Sequence, residues 1–306
     1  MEEVIKTDHL TRHYRDVRAV EDISLSVRKG EIYGFLGLNG SGKTTTIRML
    51  LGMIRPTAGS AYLCGEKVSA GSYGLWEKVG YMVEIPYSYP ELTVRENLEI
   101  VRRLRLLPEK KAVDEVIDLL QLTPYANRRA KDLSLGNAQR LGLAKALIHR
   151  PEILILDEPA NGLDPAGIAE VRKLLQGLAR DHGVTVFISS HILGEISRLA
   201  TRIGIIHQGR LLQEIGAAEL DRLLQRRLVV STLDNGAAQA ALSKAGYTAS
   251  AVLNGHLKIS DESAIVHPEE VATRLVEAGL PPTLLKVEEE DLESYFLRMV
   301  GVKEEV

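Results

Sequence analysis

The residues Gly37-Leu38-Asn39-Gly40-Ser41-Gly42-Lys43-Thr44 have the types and spacing of a phosphate-binding loop. Glycines let backbone N–H groups converge on phosphate oxygens, with no Cβ in the way. Lys43 can place a point charge on the β- and γ-phosphates, and the Thr44 hydroxyl can ligate Mg²⁺. A second stretch, Asp157-Glu158, follows the apolar quartet Ile153-Leu154-Ile155-Leu156. There Asp157 can hold Mg²⁺ directly or through water, and Glu158 can polarise a water for attack on a γ-phosphate. A third, Ser189-Ser190-His191, closes another apolar run. Its histidine could hydrogen-bond the γ-phosphate and sense its loss. The ligand class is a nucleoside triphosphate; the loop alone says no more.

The surrounding sequence supplies elements that can position these groups. Glu31–Leu36 is a short apolar run suited to a buried strand, and Thr45–Leu51 can form a helix whose N-terminus faces the anion. Ile153–Leu156 and Val184–Ile188 read as parallel strands covered on both faces. Carboxylates at the C-terminal edge of such strands lie where open α/β sheets bind ligands. Before the loop, Val4-Ile5-Lys6 and Ile23–Val27 alternate like antiparallel strands, with Arg28-Lys29-Gly30 as a turn. Tyr14 lies between them and could stack on a nucleobase or simply fill a small sheet. Pro56-Thr57-Ala58-Gly59 and Gly65-Glu66 read as turns around the strand Ala61–Cys64, and Val79–Val83 as a further strand ending at Glu84. From there to about Arg150 the pattern is helical. Thr93 and Glu96 can form a capping box before Leu98, Val101 and Leu104. Val113, Val116, Ile117 and Leu120 trace one buried helix face, and Val171, Leu174, Leu175 and Leu178 trace another.

Composition sets outer bounds. At 306 residues, with 45% hydrophobic and 26% charged residues, the chain reads as an ordinary globular protein of one large or two smaller domains. The net charge of −3 gives no global basic field, so nucleic acid is not an expected partner. The runs Arg102, Arg103, Arg105 and Arg128, Arg129, Lys131 are read as solvated faces or partner contacts. Cys64 is the only cysteine, which excludes an intramolecular disulfide framework and fits a reducing compartment. Met1-Glu2-Glu3-Val4 has no signal-peptide pattern, and no stretch approaches the ~18 apolar residues of a membrane span. If the protein works at a membrane, another chain must cross it.

Roughly the first 215 positions resemble the ATP-binding subunit of ABC (ATP-binding cassette) transporters. The decisive piece is Leu133-Ser134-Leu135-Gly136-Asn137-Ala138-Gln139-Arg140, which is similar to the family's signature sequence. Leu135 replaces a usual Gly, and Asn137 a usual Gln. Ser134 and the Gly136 N–H would open a helix whose dipole favours a γ-phosphate. The resemblance implies that this phosphate belongs to ATP held by a second subunit, so two cassettes close head to tail on two ATP molecules. It also implies roles for Tyr14 as the adenine-stacking aromatic, Glu158 as the catalytic carboxylate, His191 as the switch histidine, and Asp164 in the loop that crosses the dimer interface. The expected nucleotide-binding set is therefore Tyr14, Gly37, Leu38, Asn39, Gly40, Ser41, Gly42, Lys43, Thr44, Thr45, Ser134, Gly136, Asn137 and Asp164. The expected catalytic set is Glu158, His191 and Lys43, and the metal set Thr44, Asp157 and Glu84. Glu84 stands where many cassettes carry Gln. It supplies a charge and no N–H donor. The run Glu84-Ile85-Pro86…Tyr89-Pro90-Glu91-Leu92-Thr93 is similar to the bacitracin- and lantibiotic-exporter type, in which an acidic loop faces the membrane subunit.

The implied fold is α/β: a P-loop cassette over residues 1–216, with a mixed-sheet core, an antiparallel β subdomain and a helical subdomain inserted at about 86–150. Residues 217–306 have their own rhythm. Leu228–Val230 reads as a strand, Ala238, Ala241, Leu242 and Ala245 as a helix face, and Ala251–Leu253 with His256–Ile259 as a hairpin around Asn254-Gly255. A helix opened by Pro268 and ended near Gly279, a strand Leu284–Val287 and a last helix through Leu292, Tyr295, Phe296 and Met299 complete an order suggesting a small α+β ferredoxin-like domain. The implied activity is ATP hydrolysis with Mg²⁺, powering a separately encoded transmembrane permease from the cytoplasmic face of a bacterial membrane, as an exporter of drug, peptide antibiotic or lipid. The rival reading is a soluble ABC ATPase acting on nucleic acid or ribosomes. Such proteins usually carry two cassettes or a long coiled-coil insertion, and this chain has one cassette and no heptad run.

Overall fold

The structure is a computed structural model that describes residues 2–69, 71–84, 87–251, 255–290 and 292–299. The chain divides into two compact units, residues 1–217 and 218–306. In the first unit the elements are β1 (Glu3–Tyr14), β2 (Val17–Arg28), β3 (Ile32–Leu36), α1 (Lys43–Leu50), β4 (Ala58–Leu63), β5 (Glu66–Lys67), β6 (Val79–Met82), α2 (Val94–Leu104), α3 (Lys111–Leu119), α4 (Leu135–Leu147), β7 (Ile153–Asp157), α5 (Pro165–His182), β8 (Thr185–Ser190), α6 (Leu193–Ser197), β9 (Arg202–His207) and β10 (Arg210–Gly216).

A six-stranded sheet in the order β10-β9-β3-β8-β7-β6 forms the centre. Its strands run parallel except β10, which pairs antiparallel with β9. Every residue of β3, β7 and β8 is buried, which is why these runs are apolar without alternation. The register aligns Leu36 with Ser190 and Asp157 with Ser189. The residues that follow β3, β7 and β8 therefore emerge side by side at one edge. A second, antiparallel sheet, β2-β1-β4-β5, packs alongside. One apolar core runs from Ile5, Leu10 and Ile23 of that sheet through Ile47 and Leu50 of α1 to Phe35, Ile155 and Phe187. Truncating one such fully buried aliphatic side chain to Ala costs about 2–5 kcal/mol.

Several local expectations shift. The first two strands are much longer than their alternating cores. Ala58 and Gly59 belong to β4, and Glu66 to β5, because pairing with β1 and β4 draws these turn-type residues into the sheet. Ile85 and Pro86 lie outside the described residues. The capping box at Thr93 and Glu96 is present, and Val113, Val116, Ile117 and Leu120 are all buried. Leu104 is exposed instead, in the last turn of α2. Most cations of the basic runs find local partners. Glu99 takes Arg102 and Arg103, whose hydrogen bonds pull its carboxyl down to about 2. Glu91 takes Lys131 and Arg129, and Arg105 donates to the Trp76 carbonyl at 2.5 Å.

In the second unit, β11 (Arg226–Ser231), α8 (Asn235–Lys244), β12 (Ala249–Ala251), β13 (Leu257–Ile259), α9 (Glu262–Val266), α10 (Pro268–Glu277), β14 (Leu284–Glu289) and α11 (Leu292–Met299) follow the connecting α7 (Ala217–Leu223). The strands pair antiparallel in the order β12-β13-β11-β14, the split βαβ arrangement of a ferredoxin-like fold. Leu228, Val230, Leu257 and Ile259 pack against Ala238, Leu242, Val271 and Leu275. Ala245 follows the last residue of α8 and is exposed. Val252, Leu253 and Asn254 of the expected hairpin lie outside the described residues. Among the described residues no helix is long and apolar enough to cross a membrane.

His149, beside β6, gives this fold a pH signature. Burial, with the Arg105 guanidinium close by, pushes its imidazole down to about 4, against the hydrogen bond it shares with the Val79 carbonyl. The unfolded chain takes up this proton near the ordinary histidine value, whereas the folded chain resists until about 4. Stability is therefore lost as pH falls between those limits. Thermal unfolding measured from pH 7 to pH 4.5 should show a falling midpoint, and His149→Gln should flatten part of that slope. An unchanged slope in the variant would sink the assignment.

Candidate functional site

Residues 37–44 join β3 to α1 at the edge where the parallel strands end. Gly42 precedes α1 with φ 109, a conformation open to glycine, and gives the helix no side-chain cap. The first amides of α1 are thus left for an anion, with the helix dipole behind them. The Ser41 hydroxyl is buried and has no hydrogen-bond partner. An uncapped helix start beside an unpartnered buried hydroxyl fits a phosphate group. Leu38, Asn39 and Gly40 are exposed, and Thr45 is half-buried in the first turn of α1.

Lys43 is 6% exposed. Its ammonium donates to the carbonyls of Gly37 at 2.6 Å and Leu38 at 3.3 Å, and lies 3.3 Å from Glu158 Oε1. The other Glu158 oxygen shares a 2.8 Å hydrogen bond with His191 Nδ1 and accepts one at 3.3 Å from the His191 amide. The start of α1 and the ends of β7 and β8 thereby deliver Lys43, Glu158 and His191 to one point. Beside them the Thr44 hydroxyl donates to Asp157 Oδ2 at 2.8 Å, and Ser189 Oγ donates to Asp157 Oδ1 at 2.6 Å. A hydroxyl and a carboxylate are hard oxygen donors, the set Mg²⁺ takes when phosphates complete its shell.

Glu84, two residues past β6, forms an ion pair with Arg48 of α1 and is more than half exposed. Among the described residues no hydrogen bond or ion pair joins it to Thr44 or Asp157. Tyr14 ends β1 at 40% exposure, with the Arg12 guanidinium 4.3 Å from its ring centroid. The strand beyond its turn touches the loop: a Cβ on Gly42 would meet the Ala19 carbonyl at 2.5 Å. Ser134 caps α4 by accepting from the Asn137 amide at 3.3 Å, and Asp164 caps α5 by accepting from the Gly167 amide at 2.8 Å. Ser134 and Asp164 are exposed, Gly136 and Asn137 partly so. No hydrogen bond or ion pair among the described residues joins them to residues 37–44.

Sequence reasoning missed three groups: Ser189, which also accepts from the Glu158 amide at 3.1 Å, Arg48 and Arg12. The strand-end position of Ser189 was visible, but its partner in space was not.

This arrangement is that of a P-loop ATPase cassette. The family model described as ABC transporter matches residues 20–161. The bacitracin transport ATP-binding protein BcrA of Bacillus licheniformis is 40% identical over 301 residues, covering 98% of both chains. The protein of the same name from Enterococcus faecalis is 40% identical over 303 residues, covering 98% of this chain and 97% of its own. Among solved structures, the dimeric post-hydrolysis cassette MJ0796 bound to ADP and Pi superimposes with TM-score 0.65 at 25% identity, covering 70% of this chain and 98% of that one. The chain belongs to the ABC transporter family as an ATP-hydrolysing subunit. Such subunits dimerise and work with separate transmembrane subunits.

Ser189 offers a direct test of the site. Ser189→Ala leaves one Asp157 oxygen and the Glu158 amide without that partner. The ATPase rate should fall about 10-fold with little change in ATP affinity, the usual scale for an outer partner of a site carboxylate. A wild-type rate would show that Ser189 is not needed there.

Proposed function

We propose that this chain is the ATP-hydrolysing subunit of an exporter, held at the cytoplasmic face of a bacterial membrane by a separately encoded permease, with peptide antibiotic, drug or lipid as cargo. The observation that carries this reading is the near full-length 40% identity to two bacitracin transport ATP-binding proteins, which extends through the second unit. A Nod factor export ATP-binding protein of Burkholderia orbicola is also similar, at 34% over 299 residues. Tyr87 and Tyr89 are exposed and edge-packed at 5.8 Å beyond Glu84. Lys145 pins this loop by donating to the Tyr87 carbonyl and the Ser88 hydroxyl, both at 2.8 Å. A fixed loop with outward aromatics suits a partner contact.

In this reading two subunits pair head to tail, as homodimer or heterodimer. Residues 37–45 of one and Ser134, Gly136 and Asn137 of the other hold each ATP, with adenine on Tyr14 and Asp164 at the subunit boundary. Thr44 and Asp157 hold Mg²⁺, and Glu84 is a further oxygen donor or a permease contact. The ion, when bound, neutralises charge on the β- and γ-phosphate oxygens. A γ-phosphate competes with Glu158 for the Lys43 ammonium. Release from Lys43 frees the Glu158 carboxylate to orient a water and accept its proton as oxygen attacks phosphorus and the bond to ADP breaks. Lys43 stabilises the charge on the transferring group. His191, already hydrogen-bonded to Glu158, holds that carboxylate in place and reports loss of the γ-phosphate.

Glu158→Gln keeps the shape and removes the base. Hydrolysis should drop at least about 100-fold, ATP should still bind, and light scattering should detect an ATP-dependent dimer. Wild-type turnover would overturn the assigned role. Glu84→Ala, assayed with the permease in vesicles, should lose transport more than basal ATPase. Equal loss of both would count against a coupling role.

A further inference from the structure

The Leu135 side chain departs from the usual glycine of the signature sequence, and the structure shows where that side chain goes. Leu135 is the first residue of α4, directly after the cap Ser134. It lies over Gly162: a Cβ there would stand 2.1 Å from Leu135 Cδ2 and 2.8 Å from its Cγ. Gly162 also has φ +76, so its backbone favours glycine independently. The contact is reciprocal. A Cβ on Gly136 would meet Leu163 Cδ2 at 3.3 Å, a separation tight enough to press on it.

The next two turns of α4 continue the attachment. Gln139 is buried and donates to the Asn161 carbonyl at 3.1 Å. Arg140 forms an ion pair with Glu170 of α5. The segment so gripped starts at Glu158. The Asn161 amide donates to the Glu158 carbonyl and the Leu163 amide to the Ala160 carbonyl, each at 3.1 Å. Asp164 then caps α5. Two consecutive turns therefore separate the catalytic carboxylate from the residues that hold the start of α4.

We propose that Leu135 and Gly162 form a knob-and-hole contact that positions Ser134 relative to Glu158 of the same chain. Both are positioning residues for ATP hydrolysis. The proposal rests on the reading above in which Ser134 acts on the partner's ATP and Glu158 on its own. Through this contact, movement of α4 toward one nucleotide is passed to the carboxylate that serves the other. The Leu135 side chain occupies space that only a glycine at 162 leaves open.

The test is a volume swap in the full-length subunit. Asn tolerates a left-handed backbone better than other side chains, so Gly162→Asn adds bulk against Leu135 with little backbone strain. It should lower kcat about tenfold or more, since small misplacements of catalytic groups cost up to ~100-fold. Affinity of the unpaired subunit for a fluorescent ATP analogue, measured at a dilution that keeps subunits apart, should stay unchanged, because residues 37–45 are untouched. Adding Leu135→Gly to Gly162→Asn should restore most of the rate. Leu135→Gly alone should lower kcat several-fold, and Leu135→Met, which conserves volume, should keep it. These two variants carry the test if Gly162→Asn does not fold. Wild-type kcat in folded Gly162→Asn, or a double variant no faster than it, overturns the proposal. Ser134→Ala separates the layers. If it is inert, the reading beneath fails and takes the proposal with it; if it is slow while Gly162→Asn and Leu135→Gly are not, only the contact fails.

Discussion

A buried ammonium must be neutralised, and much of this site follows from that requirement. Lys43 has almost no contact with solvent, and an unpaired charge in such a place would be expelled or discharged. Two loop carbonyls and the Glu158 carboxylate surround it. That pairing in turn fixes Glu158 against His191. Glu158 and His191 directly follow β7 and β8, and Lys43 opens the helix after β3, so the triad depends on these three strands running parallel in register. A one-residue slip between two of these strands would reverse which side chains face the loop.

The three helix starts in and around the site are built for different uses. α4 and α5 each satisfy one first-turn amide, of Asn137 and of Gly167, with their own caps, Ser134 and Asp164. α1 does not; a glycine in the left-handed region stands at its cap position. A capped start is rigid and largely satisfied, whereas an uncapped one keeps donors for a ligand. The same physics thus separates a helix start that carries no cap of its own, at α1, from two that carry one.

Much of this was legible in the sequence, where the signal was local. Residues 37–44 announce themselves through glycine spacing, and the apolar quartets before Asp157 and Ser189 announce buried strands. The capping box at Thr93 needs only two residues three apart. What stayed hidden depends on distance in space. Nothing in the chain says that Ser189 reaches Asp157, since 32 positions separate them, or that Arg48 pairs with Glu84 across 36. The long β1 and β2 were hidden too, because their ends carry charged residues and bulges that blur alternation. Ala58 and Gly59 were misread as a turn for the opposite reason: pairing with β1 overrode a turn-like composition.

The Lys43 and Arg48 side chains point to a wider consequence of this geometry. Both lie on α1, and each is paired with a carboxylate just beyond a neighbouring strand, Glu158 after β7 and Glu84 after β6. Both acidic residues have positive φ, 51° and 57°, which non-glycine residues adopt only when their surroundings demand it. The two cations lie about 140° apart around the helix, given roughly 100° per residue. A phosphate that draws Lys43 from Glu158 acts on the same short helix that carries Arg48. Lys43 and Arg48 thus place two carboxylate pairs, one at the phosphate loop and one at Glu84, on a single helix of eight residues.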